Sequence, residues 1–197
     1  MAPEPTFRPA MLADAAALAV LVDIAGEGIP NSFWRDLAGP GRSVLEVGRD
    51  RARREEGGFS YRHATIAEIG GEIVAGLIVY PLDNPYDLTG LDDFPAHIRP
   101  LLRLEAQAPG SWYVNVLTTF REFRGQGLGS TLLEIAEQRA RAENANTMSI
   151  IVGSWNEGAG RLYQRAGYRT IATEPAILPA DFPQGGDWLL LTKPVAS

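Results

Sequence analysis

WYVNVLTTFREFRGQGLGSTLLEIAEQRAR, residues 112–141, decides the fold. Its first part, Trp112-Tyr113-Val114-Asn115-Val116-Leu117-Thr118, is aromatic and β-branched and lacks Gly and Pro, which predicts a strand. Its last part carries Leu128, Leu132, Leu133, Ala136 and Ala140 at helical spacing, so one face of a helix is apolar. Glu137 and Arg141 stand four apart, acid before base, the favourable order on a helix. Between strand and helix lies Arg124-Gly125-Gln126-Gly127-Leu128-Gly129-Ser130.

Three alternate glycines at a helix start need a reason, because Gly weakens helices. One reason is a tight turn with close packing of the first helical turn. The other is a phosphate cradle. The first amides of a helix have no internal partner, and the helix dipole adds partial positive charge there. Without side chains at Gly125, Gly127 and Gly129, a pyrophosphate could reach those amides. A P-loop is excluded, since it ends in Gly-Lys-Ser/Thr and the chain's one lysine is Lys193. A dinucleotide fingerprint is excluded too, because the third glycine comes one residue early.

What the loop does contain is Arg-x-x-Gly-x-Gly, from Arg124 through Gly127 to Gly129. In this setting it resembles the acyl-CoA-binding motif of the GNAT family, the Gcn5-related N-acetyltransferases. A second block agrees. Thr147 to Val152 reads as a buried strand, followed by Asn156-Glu157-Gly158-Ala159-Gly160-Arg161-Leu162-Tyr163-Gln164-Arg165-Ala166-Gly167-Tyr168. Ala159, Leu162, Tyr163 and Ala166 share a helical face, and Gly167 is a helix stop. This is similar to the family's Asn-x-x-Ala-x-x-Leu-Tyr-x-x-x-Gly-Phe/Tyr pattern at every marked position. The resemblance is close from Trp112 to Arg169 and weaker outside. It implies a single N-acetyltransferase domain over residues 1–197, an α/β fold whose mixed, mostly antiparallel sheet is flanked by helices.

Composition bounds the function. The length suits one domain, and 45% hydrophobic residues suit a packed globule. No apolar run has membrane-spanning length, and the start of the chain has no secretory pattern, so a cytoplasmic protein is expected. With no Cys, disulfides and thiol catalysis are excluded, and with two His a multi-histidine metal site is not expected. The net charge of −6 argues against nucleic acid and suits a cationic substrate. Seventeen of the eighteen basic residues are Arg, which reads as a composition bias.

The remainder of the chain fills in a domain around this centre. Thr6 to Ala10 predicts a short strand, and Asp14 a cap for a helix over Ala15 to Val22. Ala25 to Gly41 reads as irregular; its Phe33 and Trp34 form either a satellite packing cluster or a wall of the acceptor pocket. Ser43 to Glu56 reads as a charged helix. Its run Arg49, Arg51, Arg53 and Arg54 is either a solvated face or a contact for the 3′-phosphate of CoA. His63 to Glu68 and Ile73 to Tyr80 read as strands joined at Gly70-Gly71, with His63 structural. Pro81 to Gly110, rich in proline, is expected to be the least regular part, with Leu101 to Glu105 a short helix just before the central strand. Its Asp83, Asp87, Asp92 and Asp93 either face solvent or attract an amine. Arg169 to Thr173 and Asp187 to Lys193 read as the last strands, separated by Pro175, Pro179, Pro183, Gly185 and Gly186.

The resemblance also implies roles. Leu117, Thr118 and Thr119 would offer main-chain groups to the pantetheine arm of acetyl-CoA. Arg124, Gly125, Gln126, Gly127, Leu128, Gly129 and Ser130 would surround its pyrophosphate. Thr119 stands where Val is common, and Phe120-Arg121-Glu122 where x-Pro-Glu is common. Asn156 would bond the pantetheine arm, or cap its helix, or both. Tyr163 would bind with the cofactor and serve the leaving thiolate as a proton donor. An alkylammonium must lose a proton before attack, and Glu105, Glu72 and His97 are the candidate bases, Glu105 foremost. Direct attack by a small-molecule primary amine in a ternary complex is expected, with acetyl-CoA as co-substrate and no metal. Protein N-termini or lysines as acceptors, a bulkier acyl group and a non-catalytic acyl-CoA-binding regulatory domain are the alternatives. A homodimer stays open.

Overall fold

Seven strands, β1 (Thr6–Pro9), β2 (Ala64–Ile69), β3 (Glu72–Pro81), β4 (Trp112–Thr119), β5 (Thr147–Gly153), β6 (Arg169–Pro175) and β7 (Asp187–Pro194), form one sheet. Their order is β1-β2-β3-β4-β5-β7-β6. Helices α1 (Ala15–Ala25), α2 (Ile29–Ala38), α3 (Val44–Ala52), α4 (Arg99–Glu105), α5 (Leu128–Ala142) and α6 (Glu157–Arg165) complete the chain. The structure is a computed structural model that describes residues 3–178, 182 and 185–195. Pro179 and Pro183, expected in the last loop, lie outside the described residues. Two compact units are present: Met1–Val79 with Asn115–Leu132, and Tyr80–Val114 with Leu133–Ser197.

In the first unit β1, β2 and β3 pair antiparallel, and the β2–β3 hairpin turns at Gly70 and Gly71. Both glycines have positive φ, +61° and +85°, the mirror-image turn that matches strand twist. Helix α1 presses onto β3 at Gly76, where an added Cβ would stand 2.9 Å from the Leu21 side chain. Leu18, Leu21, Ile66, Val74, Leu77 and Ile78 are fully buried around that approach.

Three expectations are corrected in this unit. Asp14 does not cap α1 with its side chain. Its carboxylate accepts from the Met11 amide at 2.6 Å and from Arg8 at 2.8 and 3.1 Å, so partners ahead of the helix, on β1 and just after it, outcompete the cap. The Ala25–Gly41 segment is not irregular, for it holds α2. Gly28, at φ +87°, lets the chain reverse, and Pro30 sits in the first helical turn, where no N–H is needed. His63 belongs to a 3-10 turn, Tyr61–His63, ahead of β2, set by the Ser60 hydroxyl accepting from the Arg62 amide.

Helix α3 starts as the sequence suggests, with a reciprocal capping box between Ser43 and Glu46. It ends at Ala52, four residues early, where Arg54 folds back to the Arg51 carbonyl. Trp34 is buried, stacked on Phe59 at 6.0 Å, and lies against Gly48, where a Cβ would meet its ring at 2.5 Å. Of the two readings of the Phe33-Trp34 pair, this is the packing cluster for Trp34.

In the second unit β4 runs parallel to β5 over Trp112–Val114 against Met148–Ile150. β5 and β6 both pair antiparallel with β7. The stretch after β3, expected to be the least regular, contains the short helix read at Leu101 to Glu105, which is α4 and starts two residues earlier. Leu104 and Ala108 pack with Leu190, Ile151, Ala172 and Trp188, and Arg103 pairs with Glu174 of β6 at 3.3 Å. Asp92 there pairs with Arg99 at 3.3 Å, so the acidic run has a counter-charge just beyond it. The Ser111 and Ser149 hydroxyls, both buried, meet at 2.6 Å.

Candidate active site

The glycine loop follows β4 through a 3-10 turn, Arg121–Phe123, which forms without the proline common in the family. The Phe120 amide donates to the Val74 carbonyl at 2.9 Å, and the Phe123 amide to Phe120 at 3.0 Å. Gly125 and Gly127 have φ of +78° and +84°, which L-residues rarely adopt. No heavy atom lies within 4 Å of where a Cβ would stand on either. Both glycines and Gln126 are exposed, so the turn is not filled by the protein's own side chains.

Helix α5 then starts at Leu128, and the Thr131 amide donates to Gly127 at 3.1 Å. The amides ahead of that bond point out of the helix, and the dipole favours an anion before them. Leu128 is buried, Gly129 half-buried and Ser130 exposed, so Leu128 serves the core with its side chain. The apolar face expected from spacing is realised: Leu132, Leu133, Ala136 and Ala140 are all buried. Glu137 pairs with Arg141 at 2.7 Å and with Lys193 at 2.6 Å.

Leu117 and Thr119 are half-buried and Thr118 is buried. The Thr119 carbonyl accepts from Arg124 Nε at 3.2 Å, which fixes the guanidinium beside the loop and leaves the carbonyl a second lone pair. A pyrophosphate therefore fits what is present: two open left-handed glycines, helix-start amides and an exposed arginine.

In the second unit Asn156 caps α6. Its Oδ1 accepts from the Ala159 amide at 3.1 Å, leaving the side-chain NH2 as donor. Tyr163, two turns further, is buried with its ring 6.0 Å from Tyr168. Burial pushes its phenol well above the ordinary range, so it stays protonated at neutral pH and has a proton to donate. Helix α6 stops as expected at Gly167, φ +93°, with the Tyr168 amide returning to Tyr163 at 3.0 Å.

Glu105 ends α4, half-buried, and Tyr86 Oη donates to its Oε2 at 2.5 Å. Burial raises the Glu105 pKa, and the Tyr86 hydrogen bond pulls the other way. Tyr113 lies 5.6 Å from Tyr80, edge to face, and is buried. Its phenol is pushed up by burial first, then by the charge of Glu105 and by Tyr80, Tyr86 and Tyr163. Glu105 thus acts on Tyr86 and Tyr113, and Tyr80 and Tyr163 act on Tyr113 in turn, an arrangement that sequence reading missed apart from Glu105 and Tyr163. Glu72, another candidate base, is exposed at the β2–β3 turn, and His97 is half-buried before α4. Among the described residues, no group of three or more His, Asp or Glu is placed to hold a metal. No described helix is long and apolar enough to cross a membrane.

Strand, open glycine turn and amphipathic helix, set in a mostly antiparallel sheet flanked by helices, define an acetyltransferase fold. The model of the acetyltransferase (GNAT) family matches residues 31–168, and the chain belongs to that family. It is 40% identical over 81 residues to blasticidin-S acetyltransferase of Streptomyces morookaense, a match covering 41% of this chain and 55% of that protein. Among solved structures it is similar to the Drosophila melanogaster polyamine N-acetyltransferase, which forms N-acetylagmatine. There the TM-score is 0.70 and the identity 20%, over 97% of this chain and 100% of that one. It is also similar to an N-acetyltransferase from Staphylococcus aureus Mu50, with a TM-score of 0.63 and 17% identity over 95% of this chain and all of that one.

Proposed function

We propose that the chain is a single-domain, cytoplasmic N-acetyltransferase that moves an acetyl group from acetyl-CoA to a primary amine of a small cationic molecule. The observation that carries this is the open turn at Gly125 and Gly127 ahead of α5. Bound acetyl-CoA would supply an activated acyl carbon and a thiolate leaving group. Arg124, Gly125, Gln126, Gly127, Leu128, Gly129 and Ser130 would hold its pyrophosphate, chiefly by main-chain amides. Main-chain groups of Leu117, Thr118 and Thr119 and the Asn156 NH2 would orient the pantetheine arm. Tyr163, kept protonated by burial, would give its proton at sulfur. Glu105, its pKa raised by burial, would take the proton from the acceptor's ammonium.

The class of acceptor rests on two supports. The chain's net charge of −6 suits a cation. The relative named for blasticidin S and the polyamine enzyme of similar fold both concern small amines. The test is a panel of blasticidin S, agmatine and a peptide with a free N-terminus, each with acetyl-CoA, read as released thiol. A protein without Cys gives no background in that assay. Release with blasticidin S or agmatine above the peptide is expected. Release with none of them, by protein that is folded, refutes the reading.

A further inference from the structure

We propose that Tyr86 is a positioning residue that orients and tunes Glu105 as proton acceptor for the incoming amine. This rests on the acetyl-transfer reading above. Tyr86 and Glu105 are nineteen residues apart in sequence, yet the phenol donates to the carboxylate at 2.5 Å. That is the length of a charge-assisted hydrogen bond, the strong kind. One carboxylate oxygen, Oε2, is thereby fixed. The other, Oε1, remains for an ammonium.

The surroundings separate this pair from an ordinary surface contact. Glu105 closes α4, which is held against β6 and β7 by Leu104 and by the Arg103–Glu174 pair on its outer side. Tyr113 from β4 is buried beside the pair, with Tyr80 of β3 packed edge-on against it and Tyr163 of α6 acting on the same phenol. Asp83, ahead of Tyr86, adds negative charge on the tyrosine's side. Aromatic faces and two carboxylates form an environment that attracts a cation and repels an anion. Arg103, two residues before Glu105 on α4, is engaged by Glu174 of β6.

The proton balance is simple. One proton leaves the acceptor's ammonium for Glu105 Oε1 and passes from there to solvent. The second leaves the nitrogen as the C–N bond forms, and one proton reaches sulfur as the C–S bond breaks. Tyr86 keeps its own proton throughout, because burial, Glu105 and Asp83 all hold its phenol far above neutral pH. It therefore acts through Glu105 and not on the substrate.

The sign of its effect follows. A hydroxyl donating to the carboxylate favours the charged form, so it lowers the Glu105 pKa against the rise that burial imposes. In Tyr86→Phe that opposition is lost, and Glu105 should titrate higher. The experiment uses the full chain in wild-type, Tyr86→Phe and Glu105→Gln forms. It reads the Glu105 carboxyl by carbon-13 NMR titration and, in parallel, the pH profile of kcat/KM for acetyl transfer to blasticidin S and agmatine. The acid limb of the profile should move to higher pH in Tyr86→Phe and vanish in Glu105→Gln, with CoA affinity unchanged in both. A tyrosine that only supports packing would lower melting temperature and leave the limb and the NMR titration in place, and that result overturns the proposal. A wild type that binds CoA but acetylates no amine refutes the acetyl-transfer reading itself. A wild type that acetylates with an acid limb unaltered in Tyr86→Phe refutes the role of Tyr86 alone.

Discussion

Replacing Gly127 by Ala and by Glu separates backbone strain from charge at the proposed phosphate cradle. Gly127 sits at φ +84° with nothing within 4 Å of a Cβ position. Either residue meets no clash there, and each costs about 1–2 kcal/mol for a left-handed backbone. The two variants should therefore melt at similar temperatures, roughly 2–8 °C below wild type for a chain of this size. Only glutamate brings charge. A unit charge about 5 Å from a doubly charged pyrophosphate costs about 3 kcal/mol at an effective dielectric constant near 40, or roughly a hundredfold in Kd. The assay is calorimetric titration of CoA into wild type, Gly127→Ala and Gly127→Glu at low and at physiological salt. Gly127→Glu should bind about a hundredfold more weakly than Gly127→Ala at low salt, and the gap should narrow as salt screens it. Equal CoA affinities for the two variants at both salt concentrations would remove the anion from this loop.

Other outcomes can be checked on the same preparations. Tyr163→Phe should lower kcat about 10- to 100-fold while leaving CoA affinity within about twofold, because a thiolate leaves fairly well even without a donor. Wild-type kcat should also show no alkaline decline from this group near pH 10, since its phenol titrates above the ordinary value. Asp14 is held below the usual carboxylate range by Arg8, against the opposing effect of burial. Its contribution to stability is thus full above the unfolded pKa of about 3.9 and is lost as pH falls through the lower folded value. Asp14→Asn should be less stable at neutral pH by about 3 kcal/mol, the low end for a buried pair because Arg8 is 29% exposed. Its stability should then decline less between pH 5 and 2; chemical denaturation curves parallel to wild type over that range would show that the pair does not couple to folding.

How much of the fold is legible in the sequence follows the range of the interactions. The strand, loop and helix of residues 112–141 were legible because each signal there is local: β-branched content, glycine spacing and an apolar stripe. The same holds for the Asn156 cap and the Gly167 stop. Helix α2 was hidden behind Gly26, Gly28 and Pro30, which look like breakers. In place they form the reversal and first turn of a helix whose Phe33, Trp34 and Leu37 stand at helical spacing. Asp14 misled because a capping rule sees only neighbours, whereas Arg8 lies on the preceding strand and Glu68 pairs with the same guanidinium from β2. Tyr86 was invisible for a similar reason. Nothing in a proline-rich stretch announces that a residue will be returned to the end of α4.

The Glu137–Lys193 contact bears on how this protein endures its own reagent. Acyl thioesters modify exposed lysines without any catalyst, and the chain has one lysine side chain in 197 residues. That ammonium is 24% exposed and held by Glu137 at 2.6 Å, so little of it is open to an incoming thioester. Arginine, which fills the other seventeen basic positions, does not react with thioesters at neutral pH, being always protonated. Incubation with acetyl-CoA should leave the side chains of this protein almost unmarked, whereas lysine-directed dyes and cross-linkers would find very little to attach to.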